Sequence, residues 1–191
     1  AMTVRVLIVG AGLTGACLAR LLAEAGLRVQ IIDERGHVAG NCHSRIEPST
    51  GIMVHAHGPH IFHTDQDQVW RFVQRFSRFE PYIHRPKITS GGRVYSLPIN
   101  LLTINQFFNR ALRPAEAEQF IAARTDRSIA DPRNFEDQAL AFLGPDLYQA
   151  FFYGYTKKQW GCEPRELPAG VLKRLPVRFN YDDNYFNHQY Q

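Results

Sequence analysis

The chain has 191 residues, of which 45% are hydrophobic and 21% charged, a balance that suits a folded domain with a sizeable core and gives no sign of disorder. Its formal charge is +4 and its pI about 9.1, but the basic residues are scattered, so the excess suits an anionic small molecule and argues against nucleic acid. The three cysteines, Cys17, Cys42 and Cys162, share no Cys-x-x-Cys spacing and leave one unpaired, which disfavours a zinc knuckle or a disulfide framework and fits a reducing cytoplasm.

Residues 4–9 (VRVLIV) form a β-branched run ended by glycine, which reads as a buried parallel strand. The apolar stretch from Arg5 to Leu22 superficially resembles a secretory signal, but its spaced glycines and Arg20 are better explained by a strand, a turn and a helix, and no membrane span is expected. Leu18, Leu21, Leu22 and Ala25 fall on one helical face, with Gly26 placed as a C′ glycine. Residues 28–32 (RVQII) supply a second strand, completing a βαβ-type unit. Another strand is expected at 52–57. Thr64 and Asp67 have capping-box spacing ahead of a helix whose Val69, Phe72, Val73 and Phe76 share a face. Ser90-Gly91-Gly92 reads as a hairpin turn. From Thr103 the pattern becomes helical, with Pro114, Asn134 and Pro145 at helix starts.

The first turn, Gly10-Ala11-Gly12-Leu13-Thr14-Gly15, is G-x-G-x-x-G directly after a strand, and Asp33 ends the next strand. The first glycine makes the tight turn, the second admits a pyrophosphate, and the third lets helix and strand pack closely. The helix N-terminus then faces two phosphates, while the Asp33 carboxylate accepts from a ribose 2′-OH and would repel the 2′-phosphate of NADP. Spacing does not separate FAD from NAD. Residues 33–41, with Glu34, Arg35, Gly40 and Asn41, resemble the second glycine-containing turn of flavoproteins of the glutathione-reductase and amine-oxidase type, with Ala39 where glycine is usual. That resemblance favours FAD.

Gly58-Pro59-His60-Ile61-Phe62-His63-Thr64 resembles the G-[AP]-H-I-F-H-T signature of the bacterial, FAD-dependent UDP-galactopyranose mutase family. Residues 154–161 (GYTKKQWG), 175–179 (LPVRF) and 184–186 (NYF) resemble its next signatures, in order. The resemblance covers nearly the whole chain and corresponds to the N-terminal half of the family, whose members are about twice as long. It implies an α/β fold in which a Rossmann-like FAD-binding βαβ unit (2–99) is followed by a helical inserted substrate domain (100–160) and a lid with the start of the return (161–191), incomplete at the C-terminus. It also implies an isomerase that interconverts UDP-galactopyranose and UDP-galactofuranose through a covalent adduct between the sugar and N5 of reduced FAD, in a homodimeric cytoplasmic protein serving polysaccharide synthesis.

Under this resemblance Gly58, Pro59, His60 and Ile61 join the cofactor set, with His60 beside the flavin ring. Phe151, Phe152, Tyr155, Trp160, Tyr185 and Phe186 would stack uracil and screen the sugar from water, Thr156 and Tyr155 would add hydroxyl donors, and Arg174 in the lid would neutralise the departing diphosphate. His84 stands where some relatives carry an asparagine that contacts the nucleotide.

Blander readings exist for each. Phe151, Phe152 and Tyr155 have the spacing of a core-facing helix surface, and Arg174 that of a solvated charge. His55, His57, His60 and His63 lack an acidic or cysteine companion, so no metal is expected. The same N-terminal unit would serve an amine-oxidase-like FAD oxidoreductase or a non-catalytic module that binds FAD or a nucleotide sugar.

Overall fold

The computed structural model describes residues 5–174 and 177–191, the side chains of residues 173 and 174 excepted. The chain divides into two compact units, Ala1–Phe62 and His63–Gln191.

In the first unit the local signals become β1 (Arg5–Val9), α1 (Leu13–Glu24) and β2 (Arg28–Ile32). β1 and β2 pair in parallel, from Arg5 opposite Arg28 to Val9 opposite Ile32. Gly26, at φ +82°, ends α1 as expected: its amide donates to the Ala23 carbonyl and that of Leu27 to the Leu22 carbonyl, which closes a Schellman motif. Beyond β2 lies an antiparallel hairpin of β3 (Ser44–Ile46) and β4 (Met53–His55). The sequence signals only the second of these strands, because the connection is closed by the Glu47 carboxylate, which accepts from Ser49 and Thr50, and not by a glycine-rich dipeptide.

The expectation that the first strand is buried needs correction. Of β1 and β2 only Ile8 is buried, while Leu7, Val9, Ile31 and Ile32 are exposed, because one helix over a two-stranded sheet covers too little of either face. Leu18 and Leu21 of α1 are exposed for the same reason.

The second unit opens with α2 (Asp67–Val73). The capping box expected at Thr64 does not form: the Thr64 hydroxyl accepts from the Gln66 amide at 3.1 Å, so it closes the turn before the helix, and Phe76 falls beyond the last helical residue. β5 (Lys87–Ser90) and β6 (Arg93–Ser96) form the expected hairpin, with Gly91 and Gly92 both at positive φ as a type I′ turn requires. Next come α3 (Leu101–Phe108), α4 (Pro114–Ala122) and α5 (Phe135–Leu143). The side chains of Asn100 and Asn134 cap α3 and α5, and Pro114 occupies the first turn of α4. α6 (Pro145–Leu147) runs through a π turn (Tyr148–Tyr153) into α7 (Gly154–Trp160), which stops at Gly161 in the left-handed region. Two 3₁₀ turns follow, Pro164–Glu166 and Ala169–Arg174.

The core of this unit is continuous, from Ile99, Leu101 and Ile104 through Ile121, Phe135 and Leu143 to Leu147, Phe151 and Leu172. Residues 177–191 run back across the unit as an extended strap. The Arg178 amide donates to the Ile99 carbonyl, the Leu101 amide to Asn180, the Tyr185 amide to His84, and Thr64 and Tyr190 exchange both backbone hydrogen bonds. Inside the strap the largely buried Arg178 guanidinium pairs with Asp182 and donates to the Asn184 carbonyl and the Asn187 side chain, which fixes the 178–187 curve.

Candidate functional site

Glycine explains the shape of the first turn residue by residue. Gly10 sits at φ +106°, where a side chain is strained, and its amide donates to the Ile32 carbonyl at 2.7 Å. A Cβ on Gly15 would lie 1.9 Å from the Gly10 carbonyl oxygen, so no other residue lets α1 approach this closely. A Cβ on Gly40 would lie 3.1 Å from the Gly12 Cα, and the Ala39 amide donates to the Ala11 carbonyl at 2.9 Å. The second turn therefore packs directly on the first.

Between them, at the carboxyl ends of β1 and β2, opens a cleft of about 360 Å³ lined by Val9, Gly10, Asp33, Glu34, Arg35, Gly40 and Asn41. Open α/β sheets take ligands at this end of the strands. Leu13, Thr14 and Gly15 precede the first intrahelical bond, from the Ala16 amide to the Gly12 carbonyl, so their N–H groups are the unpaired donors of a helix N-terminus. Asp33 accepts from the Ala11 amide at 2.6 Å and the Arg35 amide at 2.8 Å, and these bonds hold its carboxyl below the usual carboxylate range. The Arg35 guanidinium donates to Asn41 at 2.9 Å. The donor set and the cleft fit the diphosphate and ribose of a dinucleotide such as FAD.

Gly58, Pro59, His60 and Ile61 end this unit. Gly58 is at φ +90°, and the His60 imidazole Nδ1 lies 2.9 Å from the Gly58 carbonyl, which orients an exposed ring. His37 stacks on His43, with centroids 3.9 Å apart, and lies near His57. Among the described residues no group of three His, Cys, Asp or Glu side chains is placed to hold a metal ion.

The aromatic residues of the second unit separate into two groups. Phe151 and Phe152 are 3% and 5% exposed and pack against Tyr95, Phe107 and Phe135, so their rings belong to the core and do not present a stacking face. Thr156 is likewise buried, at 3% exposure. Tyr155 and Trp160, on the same helix, are 63% and 55% exposed. The π turn accounts for the division, since its wider winding brings Tyr148, Phe151 and Phe152 onto the core and puts Thr156, not Tyr155, in line with Phe151.

A second cluster gathers His84, Tyr185 and Phe186 with His63 and His188. His63 stacks on Phe186 at 3.8 Å, the Nδ1 atoms of His63 and His188 are 3.1 Å apart, and His84 meets the edge of Tyr185 at 5.4 Å. Burial first, then the neighbouring Tyr155 phenol, pushes the Tyr185 hydroxyl above its usual range, so the strap and α7 bring two tyrosines to one place. Beside them Asp183 pairs with both Arg85 and Lys87 at 3.2 Å. His188 and Asp183 carry no motif, and only the returning strap brings them here. The backbone of Arg174 ends the second 3₁₀ turn, and its side chain lies outside the described residues, as do Leu175 and Pro176.

Comparison with known proteins adds to this geometry. Residues 8–76 match a family model described as an NAD(P)-binding Rossmann-like domain, and residues 150–191 match one described as UDP-galactopyranose mutase. A dTDP-fucopyranose mutase of Escherichia coli is 58% identical over 98% of this chain and 50% of its own length, and a probable UDP-galactopyranose mutase of Klebsiella pneumoniae is 57% identical over 97% of this chain and 48% of its own. A UDP-galactopyranose mutase of Mycoplasma genitalium is 28% identical over 95% of this chain. The crystal structure of a reduced UDP-galactopyranose mutase shares the fold, with a TM-score of 0.66 at 20% identity over 91% of this chain and 37% of that one. The chain spans about half the length of the relatives it matches. Among the described residues no helix is long and apolar enough to cross a membrane.

Proposed function

We propose that this chain, a homologue of the N-terminal half of the UDP-galactopyranose mutases, belongs to a flavin-dependent isomerase that interconverts the pyranose and furanose forms of a nucleotide sugar. The observation that carries the reading is identity of 57–58% with two mutases over nearly every residue, from the glycine turn to the strap. It favours the mutase over an amine-oxidase-like enzyme, which would share the first turn alone.

In this reading the amides at the start of α1 (Leu13, Thr14 and Gly15), with Gly10 and Gly12 clearing the approach, receive the FAD diphosphate. Asp33, Glu34, Arg35, Gly40 and Asn41 enclose its adenosine side, and Gly58, Pro59, His60 and Ile61 its flavin. Reduced FAD, when bound, supplies a nucleophilic ring nitrogen and the isomerisation transfers no net electrons. In the second unit Tyr155 and Trp160 offer exposed rings for the nucleobase, with Phe151, Phe152 and Thr156 as the packed floor beneath. Tyr185 and His84 offer a hydroxyl and an imidazole toward the sugar nucleotide, Phe186 holds them against His63, and Arg174 neutralises the diphosphate as it leaves. The working protein is a homodimer in the cytoplasm.

UDP-galactopyranose is the proposed substrate, from the signatures and the Klebsiella relative. dTDP-fucopyranose is the second reading, favoured by the similar identity of the Escherichia coli relative. The test supplies protein, FAD and dithionite with UDP-galactofuranose or dTDP-fucofuranose and follows the pyranose product by chromatography. Turnover of the galactose pair supports the first reading and turnover of the fucose pair alone the second. Flavin reduced by an amine substrate, with no ring isomer formed, would sink both.

A further inference from the structure

Two stretches that stand apart in the sequence, residues 175–179 (LPVRF) and 184–186 (NYF), are joined in the structure by one side chain. Arg178 follows the bridge between Val177 and Ile99, and its amide donates to the Ile99 carbonyl at 2.9 Å, so the residue is planted on the core. Its side chain is 9% exposed, a depth at which arginine is rarely found unpaired. One guanidinium nitrogen, Nη1, lies 3.1 Å from the Asp182 carboxylate and donates to the Asp182 carbonyl at 3.3 Å and to the Asn184 carbonyl, while Nη2 donates to the Asn187 side chain at 2.7 Å. The same curve is held from its other side by Arg85 and Lys87, each 3.2 Å from Asp183, with Arg85 Nε donating to the Asn184 side chain at 3.1 Å. Tyr185 comes next, its amide on the His84 carbonyl at 2.8 Å and its ring edge against the His84 imidazole, and Phe186 stacks on His63.

We propose that Arg178 is a positioning residue, which grips the 182–187 curve from within and so presets the Tyr185 ring beside His84 before a nucleotide sugar arrives. The grip stands on the geometry alone; that Tyr185 meets a nucleotide sugar rests on the mutase reading above. Arginine suits the task because its planar fork reaches several acceptors at once through charge-assisted bonds, where a lysine offers one compact charge. A side chain fixed in advance lowers the ordering cost of binding, so Arg178 acts on substrate affinity through Tyr185 and not on the bond-making step.

Arg178→Lys tests this, because it keeps a charge for Asp182 and gives up the fork. In NMR relaxation the backbone order parameter of Tyr185 should be about 0.85 in the unaltered chain and fall below about 0.6 in the variant, while Ala117, buried in α4, stays at about 0.85 in both. Order parameters report motion within the folded molecule, so a plain loss of stability would leave Tyr185 as rigid as Ala117. In the assay with FAD and dithionite, KM for the nucleotide furanose should rise about tenfold with kcat held within about twofold. A Tyr185 that stays rigid in Arg178→Lys overturns the positioning role, and so does a kcat that falls with KM unchanged. The unaltered chain carries a check of its own, since Nε of Arg178 should be as rigid as the backbone around it. A mobile Arg178 Nε or a mobile Tyr185 there overturns the grip, whether or not the variant folds. The expected rigidity pattern in a protein that turns over neither sugar would overturn the mutase reading and the substrate role of Tyr185 while supporting the grip.

Discussion

The two units are held together by different means. In Ala1–Phe62 the organisation is backbone-driven: a parallel pair, a Schellman-capped helix and two interlocked glycine turns, with Ile8 the buried hydrophobic residue among those described. In His63–Gln191 it is side-chain-driven, with a continuous core from Ile99 to Leu172 and a strap that returns over a hundred residues to reach Thr64. The first unit thus depends on steric exclusion at a few positions, and the second on apolar burial at many. The contrast is useful because each can be broken with little effect on the other.

The largest effect is expected in the second unit. Phe135→Ala, at a 2% exposed position, removes a core ring and should cost about 4 kcal/mol, read as a lower urea midpoint. Gly15→Ala should follow, at about 3 kcal/mol, because its methyl meets the Gly10 carbonyl oxygen and the turn must open. It should also abolish flavin uptake, whereas any Phe135→Ala protein that folds should retain it. Asn100→Ala deletes the cap of α3 and a bond to the Asp182 carbonyl, and should cost about 1.5 kcal/mol in thermal unfolding.

A pH comparison probes the strap. Burial, then the facing His188, depresses His63 below its ordinary 6.5, partly offset by Asp65. Below that value the unfolded chain binds the proton that the folded one resists, so this contribution is present above pH 6.5 and is lost as pH falls through it. The unfolding midpoint should fall between pH 7.5 and 5.5, and by less in His63→Asn. A drop of equal size in the variant would remove His63 from the explanation. The smallest expected change is a gain: Ala39→Gly relieves a non-glycine residue held at φ +76°, and should raise stability by about 0.5 kcal/mol after the added freedom of the unfolded chain is subtracted.

The same contrast explains how much could be read in advance. Gly10, Gly15 and Gly26, the Gly91-Gly92 turn, Asn134, Pro114 and Pro145 announced their elements because each meets a local steric or hydrogen-bonding demand at its own position. The exposure of Val9 was not legible, since a β-branched run implies burial only where a second layer exists to bury it. Thr64 and Asp67 had capping-box spacing, but the strap recruits this segment into pairing with Tyr190, and the hydroxyl is used one residue early, on the Gln66 amide. The π turn left no mark in the spacing of Phe151, Phe152 and Tyr155, so rings that looked equivalent came out two buried and one exposed. Of the candidate site, the glycine cleft was readable from adjacent residues. The meeting of His63 with His188 was not, because a contact 125 residues apart carries no periodicity.

The central claim is that the paired glycine turns hold a flavin dinucleotide, and the most direct measurement is titration of the purified chain with FAD, followed by the visible spectrum after gel filtration. The account predicts a yellow protein with one FAD per chain, and a colourless one for Gly15→Ala. An unaltered chain that elutes colourless while folded, or a Gly15→Ala protein that retains the flavin, would contradict it.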